Sequence, residues 1–404
     1  MKCDIIIPVW NQLEATRECV ESIVKNTTIP YRLILVDNAS DKNTAAYLDG
    51  IKASGVAPAV IISNNENLGF VKAVNQGLRL SDAPYVCVMN NDTIPAKGWL
   101  ENMIDFMERH PDVGLANPQC DGHGDLPIEE HAANLSLLKD AYMEMNQCFG
   151  YCMLIRREVL EKIGYLDEAF GMGNYDDTDY SMRAGKAGYR CVNVHSAYVY
   201  HKKHVSFNAA GNREALVSEG AREYFKKWPR HLRAGVSFRI DKDTCDAEII
   251  SLLEGILYLA REWCWVNVWI FGDKAIAKAR VSEAASKINM PLHQNLKMSY
   301  CPGRFRGLQV LARLIERSFG TKRRKKYDMV FVVYDKTASF LKFFGHLHKT
   351  NVIPITPEIG FIKEAERAIA DTRISESSLR GPERPEAIYT EEIASSENGQ
   401  AVSS

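Results

Sequence analysis

Asp37 closes the apolar run RLILVD and is followed by Asn38-Ala39-Ser40-Asp41. A carboxylate at such a place can accept a hydrogen bond from a nucleobase N–H, or it can simply close an Asx-turn or cap a helix. The stretch Asn64-Asn65-Glu66-Asn67-Leu68-Gly69-Phe70 follows another apolar run and opens a helical pattern. Its loop amides and the helix amino terminus suit a phosphate, although the spacing is not that of a Gly-rich phosphate loop. Asn90-Asn91-Asp92-Thr93 ends a further run. An Asp there is costly unless it is paired, coordinated or exposed at a site rim. A divalent cation on a diphosphate needs only one or two protein carboxylates, because phosphate oxygens and water complete its shell. Asp176, Asp177 and Asp179 form the densest acidic cluster of the first 240 residues. Partly desolvated like charges raise the proton affinity of at least one member, as a general base requires; the same residues could instead cap the following helix and favour its dipole. His195, His201 and His204 lie in the strand-like YRCVNVHSAYVYHKKHVSF. An imidazole can join a metal site that has one carboxylate, and Mn(II) tolerates it better than Mg(II).

These residues need a scaffold that gathers them. Apolar β-rich runs (IIIPVW, RLILVD, AVIIS, YVCVMN) alternate with helical patterns such as the one from Val71 to Leu80. This is the signature of a parallel sheet with crossover helices, in which ligands sit at the carboxyl ends of the strands. The polar groups after each run, Asn11, Asp37-Asn38, Asn64-Asn65 and Asn91-Asp92, fall at those ends. Beyond Phe238 the alternation restarts, with a helix from Ala247 to Ala260, the strand WCWVNVWIF, a helix from Lys274 to Ile288 and a last strand NVIPI. We expect α/β architecture in domains spanning 1–235 and 236–360. Residues 361–404 are expected to form an acidic tail, helical at first and then largely disordered.

Composition narrows the classes. Of 404 residues 46% are hydrophobic and 25% charged, as in soluble globular chains, and 50 Lys and Arg against 51 Asp and Glu leave a net charge of −1. No global pull toward nucleic acid or anionic membrane follows, so nucleic acid is not an expected partner. No apolar run reaches the roughly 18 to 20 residues of a membrane span, and the amino terminus reads as a strand, not as a signal peptide. Ten scattered cysteines with no second close pair point to reduced core thiols and a cytoplasmic location.

Taken in order, IIIPVWN, LVDNASD, NNENLGFVKAVNQG, VMNNDT, FGYCMLIRREVLEKIGYLDEAF, YDDTDYSMRAGKAGYR and YHKKHVS resemble the family 2 glycosyltransferases over about residues 1–232. The resemblance implies a GT-A fold and an inverting, metal-assisted transfer of a sugar from a nucleotide diphosphate. Asp37 matches the family's base-binding carboxylate, and Asn67 with Gly69 the loop near nucleotide and sugar. Pro8, Asn11, Asn38 and Asn75 complete the implied nucleotide-sugar set. Asn90, Asn91 and Asp92 stand at the D-x-D metal motif, with Asn90 in place of its first acid. Asp92 and His201 are the implied ligands of Mn2+ or Mg2+, and Asp177 is the implied catalytic base, preceded by Asp176 where the family has Glu. The NENLGFVKAVNQG stretch looks most like rhamnose-type transferases of bacterial surface polysaccharide synthesis. It implies a dTDP- or UDP-sugar donor and a glycan or lipid-linked saccharide acceptor.

A sugar nucleotidyltransferase is a second reading, weakened because Pro8-Val9-Trp10-Asn11 offers no Gly-rich triphosphate loop. A catalytically degenerate GT-A scaffold is a third, favoured by Asn90 and opposed by Asp92, Asp177 and His201. The tryptophans of WCWVNVWIF suit core packing, sugar stacking or a partner surface. The run Lys322-Arg323-Arg324-Lys325-Lys326 is either a solvated helix end or a contact to anionic headgroups, which would place the protein peripherally at the inner membrane face. Monomer and oligomer are both compatible with the sequence.

Overall fold

The computed structural model describes residues 2–120, 123–202, 213–318, 326–333, 338–347, 349–355 and 360–379. His204, most of the basic run 322–326 and the tail from 380 onward lie outside them. The chain divides into two compact units at Trp228/Pro229.

In the first unit the apolar runs become strands β1 (Cys3–Val9), β2 (Tyr31–Asp37), β3 (Ala59–Ser63) and β4 (Tyr85–Met89). Helices α1 (Leu13–Asn26), α2 (Lys42–Ser54) and α3 (Phe70–Leu80) cross between them. All four strands are parallel, in the order β3-β2-β1-β4. The order reverses between β1 and β4, which opens a crevice at their carboxyl ends. Both sheet faces are covered, which explains why these strands read as unbroken apolar runs. Ile5, Ile7, Leu33, Leu35 and Cys87 pack with Val20 and Ile23 of α1 and Leu48 of α2.

The sheet continues through β8 (Cys152–Arg156), β6 (Val113–Gln119), β9 (Arg190–His201) and β7 (Tyr142–Met145). β8 runs antiparallel to β4 with Met89 opposite Cys152, so residues just past β4 face those just before β8. The short β5 (Thr93–Pro95) pairs antiparallel with β9, Thr93 opposite His201. The remaining helices used below are α4 (Trp99–Arg109), α5 (Ile128–Leu135), α6 (Arg157–Ile163), α7 (Asp176–Lys186) and α8 (Arg213–Lys227).

The second unit is a five-stranded parallel sheet of β10 (Arg233–Arg239), β11 (Trp265–Gly272), β12 (Leu296–Pro302), β13 (Met329–Val333) and β14 (Asn351–Ile355). Its order is β12-β11-β10-β13-β14, again a doubly wound arrangement. Helices α9 (Asp246–Arg261), α10 (Lys274–Lys287), α11 (Arg306–Ser318), α12 (Ala338–Leu347) and α13 (Phe361–Leu379) belong to it. Two features differ from the boundaries read in the sequence. β10 begins at Arg233, before the expected division at 235/236. Helix α13 buries Phe361, Ala365, Ala368 and Ile369 in the core of this unit, because those apolar residues recur at helical spacing within an otherwise acidic stretch. Trp263 and Trp269 are buried, whereas Trp265 is half-buried. All ten cysteines are free, eight of them buried.

At the amino end of β1 the Asp4 carboxylate is wholly buried. It accepts two hydrogen bonds from Arg32 at 2.8 Å, one from Ser81 Oγ at 2.7 Å and those of the Asp82 and Ala83 amides. Burial opposes its charge, but these donors outweigh it and hold the carboxyl below the ordinary range. The resulting stabilisation is complete above the unfolded-state pKa of about 4 and fades as pH falls through the lowered native value. Asp4→Ala should cost about 3 kcal/mol at neutral pH, because it strands a partly buried guanidinium, and less in acid. Urea unfolding at the two pH values measures both.

Candidate functional site

The crevice of the first unit is lined by loops that hold one another through amide side chains. Asn11 and Gln12 follow β1 in left-handed conformation. Asn11 accepts the Asp41 amide through Oδ1 at 2.7 Å, and its own N–H donates to Ser40 Oγ at 3.0 Å. Asp37, buried at the end of β2, accepts the Ser40 amide at 2.9 Å, an Asx-type turn. Its neighbour Asn38 is the hub. Asn38 Nδ2 donates to Asn67 Oδ1 (2.7 Å) and to the Gly69 carbonyl (3.3 Å), while Oδ1 accepts from Asn64 Nδ2 (3.1 Å) and the Leu68 amide (3.0 Å). The loop 64–69 is thereby fixed against the end of β2. Gly69 has φ +85°, and a Cβ there would lie 2.8 Å from the Gly171 carbonyl oxygen, so only glycine fits.

Asn75 and Asn91, both named from the sequence, are committed elsewhere. The Asn75 side chain is buried in α3, giving Nδ2 to the Leu166 carbonyl and accepting the Leu166 amide. Asn91 Nδ2 donates to Thr16 Oγ1 at 2.9 Å. These two brace the site. Pro8 lies inside β1, one residue short of the strand end.

Pairing of β5 with β9 brings Asp92 to His201. The Lys202 amide donates to the Asp92 carbonyl at 3.1 Å, and His201 Nε2 lies 3.3 Å from Asp92 Oδ1. That oxygen is buried and has no hydrogen-bond partner, a costly state that a cation would relieve. Asn90 Nδ2 is 3.5 Å from the same His201 nitrogen. Among the described residues no group of three or more His, Cys, Asp or Glu side chains converges on one point. A cation shared with a diphosphate requires no such group, so the Asp92–His201 pair fits one.

The acidic cluster divides its roles. Asp179 is fully buried and structural, accepting from Arg183 Nε at 2.8 Å, Lys227 Nζ at 3.0 Å and Trp228 Nε1 at 2.9 Å. Asp176 is buried, and that burial together with the adjacent Asp177 charge pushes it up to about 8. At neutral pH Asp176 therefore keeps its proton, so the Asp176–Asp177 pair carries at most one negative charge. Asp177 is half-buried in the first turn of α7. Its Oδ2 accepts the Gly150 amide at 3.0 Å, and Oδ1 accepts the Thr178 amide at 2.7 Å and Gln147 Nε2 at 3.4 Å.

The backbone that delivers Asp177 is held under strain. Gly171, Gly173, Asn174 and Tyr175 all have positive φ. Helix α8 braces them: the Tyr175 ring packs on Tyr224 and Phe225, and a Cβ at Gly220 would lie 2.5 Å from the Asn174 carbonyl oxygen.

Gly150 and Tyr151, which the residue-by-residue reading did not single out, join the two halves. Gly150 N–H holds Asp177. The next residue, Tyr151, stacks its ring on His201 with centroids 5.3 Å apart and accepts the Asn90 amide on its carbonyl at 2.9 Å. The Tyr151 hydroxyl is anchored on the Pro118 carbonyl at 2.6 Å. The signal in the sequence was the Gly-aromatic pair just before the apolar CMLIR run. His195 lies apart, its amide paired with the Ala141 carbonyl, and burial pushes its imidazole down.

The first unit is thus a doubly wound sheet with amide-rich loops at its carboxyl edge, a GT-A-like architecture. Residues 4–164 match the model of glycosyl transferase family 2. The uncharacterized glycosyltransferase YwdF of Bacillus subtilis is 26% identical over 238 residues, 56% of this chain and 82% of that protein. The amylovoran biosynthesis glycosyltransferase AmsE of Erwinia amylovora is 26% identical over 182 residues, 43% of this chain and 66% of its own length. Two other curated relatives are matched over only 24% and 33% of their lengths. Among solved structures, the mannosyltransferase PcManGT from Pyrobaculum calidifontis, in complex with GDP-Man and Mn2+, has a TM-score of 0.46 at 15% identity, covering 80% of this chain and 82% of that one.

The raised Asp176 value has a definite sign. Between about pH 4 and about pH 8 the unfolded chain has released this proton and the native chain retains it, so stability falls as pH rises across the window and levels off above it. Asp176→Asn should therefore stabilise the protein more at about pH 8 than at about pH 5. Equal shifts in the urea midpoint at both pH values would refute the assignment.

Proposed function

We propose that this protein is an inverting glycosyltransferase that moves a sugar from a dTDP- or UDP-sugar to a hydroxyl of a glycan or lipid-linked saccharide acceptor. The pathway we infer is bacterial surface polysaccharide synthesis, a setting that the name of the AmsE relative supports. The observation that carries the reading is the Gly150-Tyr151 dipeptide, which holds the Asp177 carboxylate through one amide and buttresses His201 and Asn90 through the next residue. Consecutive Cα atoms are about 3.8 Å apart, so the acid and the carboxylate–imidazole pair are tied to one short, stiff piece of backbone.

In this reading Asp37, Asn38, Asn67 and Gly69 receive the nucleoside and the near side of the sugar. Asp92 and His201 would hold Mn2+ or Mg2+, with Asn90 beside them. When bound, that cation neutralises the charge building on the departing nucleoside diphosphate. Asp177 takes the proton from the acceptor hydroxyl as that oxygen attacks the anomeric carbon from the face opposite the leaving group. One displacement inverts the centre. The leaving group is already good, so no protonating acid is needed, unlike glycoside hydrolysis with its two carboxylates. Protonated Asp176 leaves a single negative charge beside the incoming hydroxyl, and the amides of Gly150 and Thr178 fix the direction of the Asp177 carboxylate.

Two outcomes test the scheme. In transfer assays with a panel of dTDP- and UDP-sugars, Asp177→Asn should lower turnover by about 100-fold or more while nucleotide binding persists. An unimpaired variant would remove the base. In titration calorimetry, Asp92→Ala and His201→Ala should each weaken nucleotide-sugar binding in the presence of manganese and leave metal-free binding unchanged; affinity that ignores manganese in the parent protein would overturn the metal role.

A further inference from the structure

Helices α11 and α12 of the second unit lie side by side on one face of its sheet, where Val310, Leu314, Ala338 and Leu341 pack on Trp269, Phe271, Val330 and Val332. The opposite sides of these two helices are also apolar. On α12, Phe340 and Phe343 project directly away from Ala338 and Leu341, and their rings meet Phe344. On α11, Leu308 and Ile315 are exposed about two turns apart on one side, and Phe305 precedes the helix at 75% exposure. Among the described residues the three exposed phenylalanines are Phe305, Phe340 and Phe343, all on this face. A helix that exposes two phenylalanines on the side away from its buried face presents an apolar patch that calls for cover.

Charge identifies the cover. Among the described residues between Arg304 and Lys349 there are seven Lys and Arg against two acids, Glu316 and Asp328, whereas the whole chain has a net charge of −1. Arg304 and Lys342 are exposed among the phenylalanines. Arg313 and Arg317 lie over the rings of Trp269 and Tyr327, 5.5 and 4.4 Å from their centroids, at the flank of α11. Aromatic and aliphatic side chains ringed by long basic ones match an interface that is apolar below and negatively charged at its surface. A second protein copy would bring the same positive charge and repel.

We propose that the α11–α12 face is a membrane-docking surface that seats on a bilayer rich in anionic lipid. Phe305, Leu308, Phe340 and Phe343 enter the headgroup boundary, and Arg304 and Lys342 pair with lipid phosphates. The surface belongs to the second unit and its occupancy needs no nucleotide sugar, so its test stands whatever the donor. Such docking would suit a lipid-linked acceptor.

The experiment is co-sedimentation of the full chain with vesicles of phosphatidylglycerol and phosphatidylcholine, or of phosphatidylcholine alone, at ~0.05 and ~0.5 M salt. The parent protein should bind the anionic vesicles and lose binding in high salt. The exposed pair Phe340→Ser with Phe343→Ser, and separately Arg304→Glu with Lys342→Glu, should each reduce partitioning about tenfold or more, with an unchanged circular dichroism spectrum and unchanged donor hydrolysis. The proposal is overturned if the parent ignores anionic vesicles at low salt, if both variants bind as the parent does, or if the face instead binds RNA or a second copy without binding vesicles.

Discussion

The Gly150 amide ties the Asp177 carboxylate across to the strand that follows it, and much of the first unit is arranged so that this hydrogen bond can form. The donor sits two residues before β8, which runs antiparallel to β4, so the chain that grips the acid is the same chain that faces the polar end of β4. The acceptor sits in the first turn of a helix, where the backbone dipole favours a negative charge. Were the register of β8 to slip by one residue, the amide would point to the other side of the sheet and Tyr151 would leave His201.

Around that link the protein uses two different means of holding polar groups in place. At the ends of β2 and β3 the means is mutual hydrogen bonding among short amides, with Asn38 using both ends of its side chain. Between Gly171 and Tyr175 the means is force: Asn174 and Tyr175, non-glycine residues with positive φ, are kept in a costly conformation by the aromatic packing and close approach of α8. The first produces a loop that is rigid by satisfaction, the second one that is rigid only while its brace remains. Asp179, fully buried under Arg183, Lys227 and Trp228, ties that brace to the helix carrying Asp177.

Strands β1 to β4, β11 and β14 were legible because strands covered on two faces leave continuous apolar runs, and the residues after the first four runs did fall at the carboxyl edge. The placing of Asp92 beside His201 was legible only through motif order, since the β5–β9 pairing that creates it joins residues over 100 positions apart. Asn75 and Asn91 show the limit of reading side chains by type: an amide beside a site looks the same in sequence whether it faces the crevice or the backbone behind it. The strand order of the second unit was not legible either, because crossover connections decide it and nothing in a strand's own residues records its neighbours. The helical start of α13 was expected, but its place in the core was hidden by composition, its four core contacts being outnumbered by charged neighbours.

The distribution of thiols carries a practical corollary. Burial pushes Cys3, Cys87 and Cys148 far up, and the other interior cysteines are shielded from solvent, whereas Cys245 stands exposed just ahead of α9. A maleimide dye added to the native chain would consequently attach first at that position, giving a spectroscopic reporter in the second unit without any engineered attachment point.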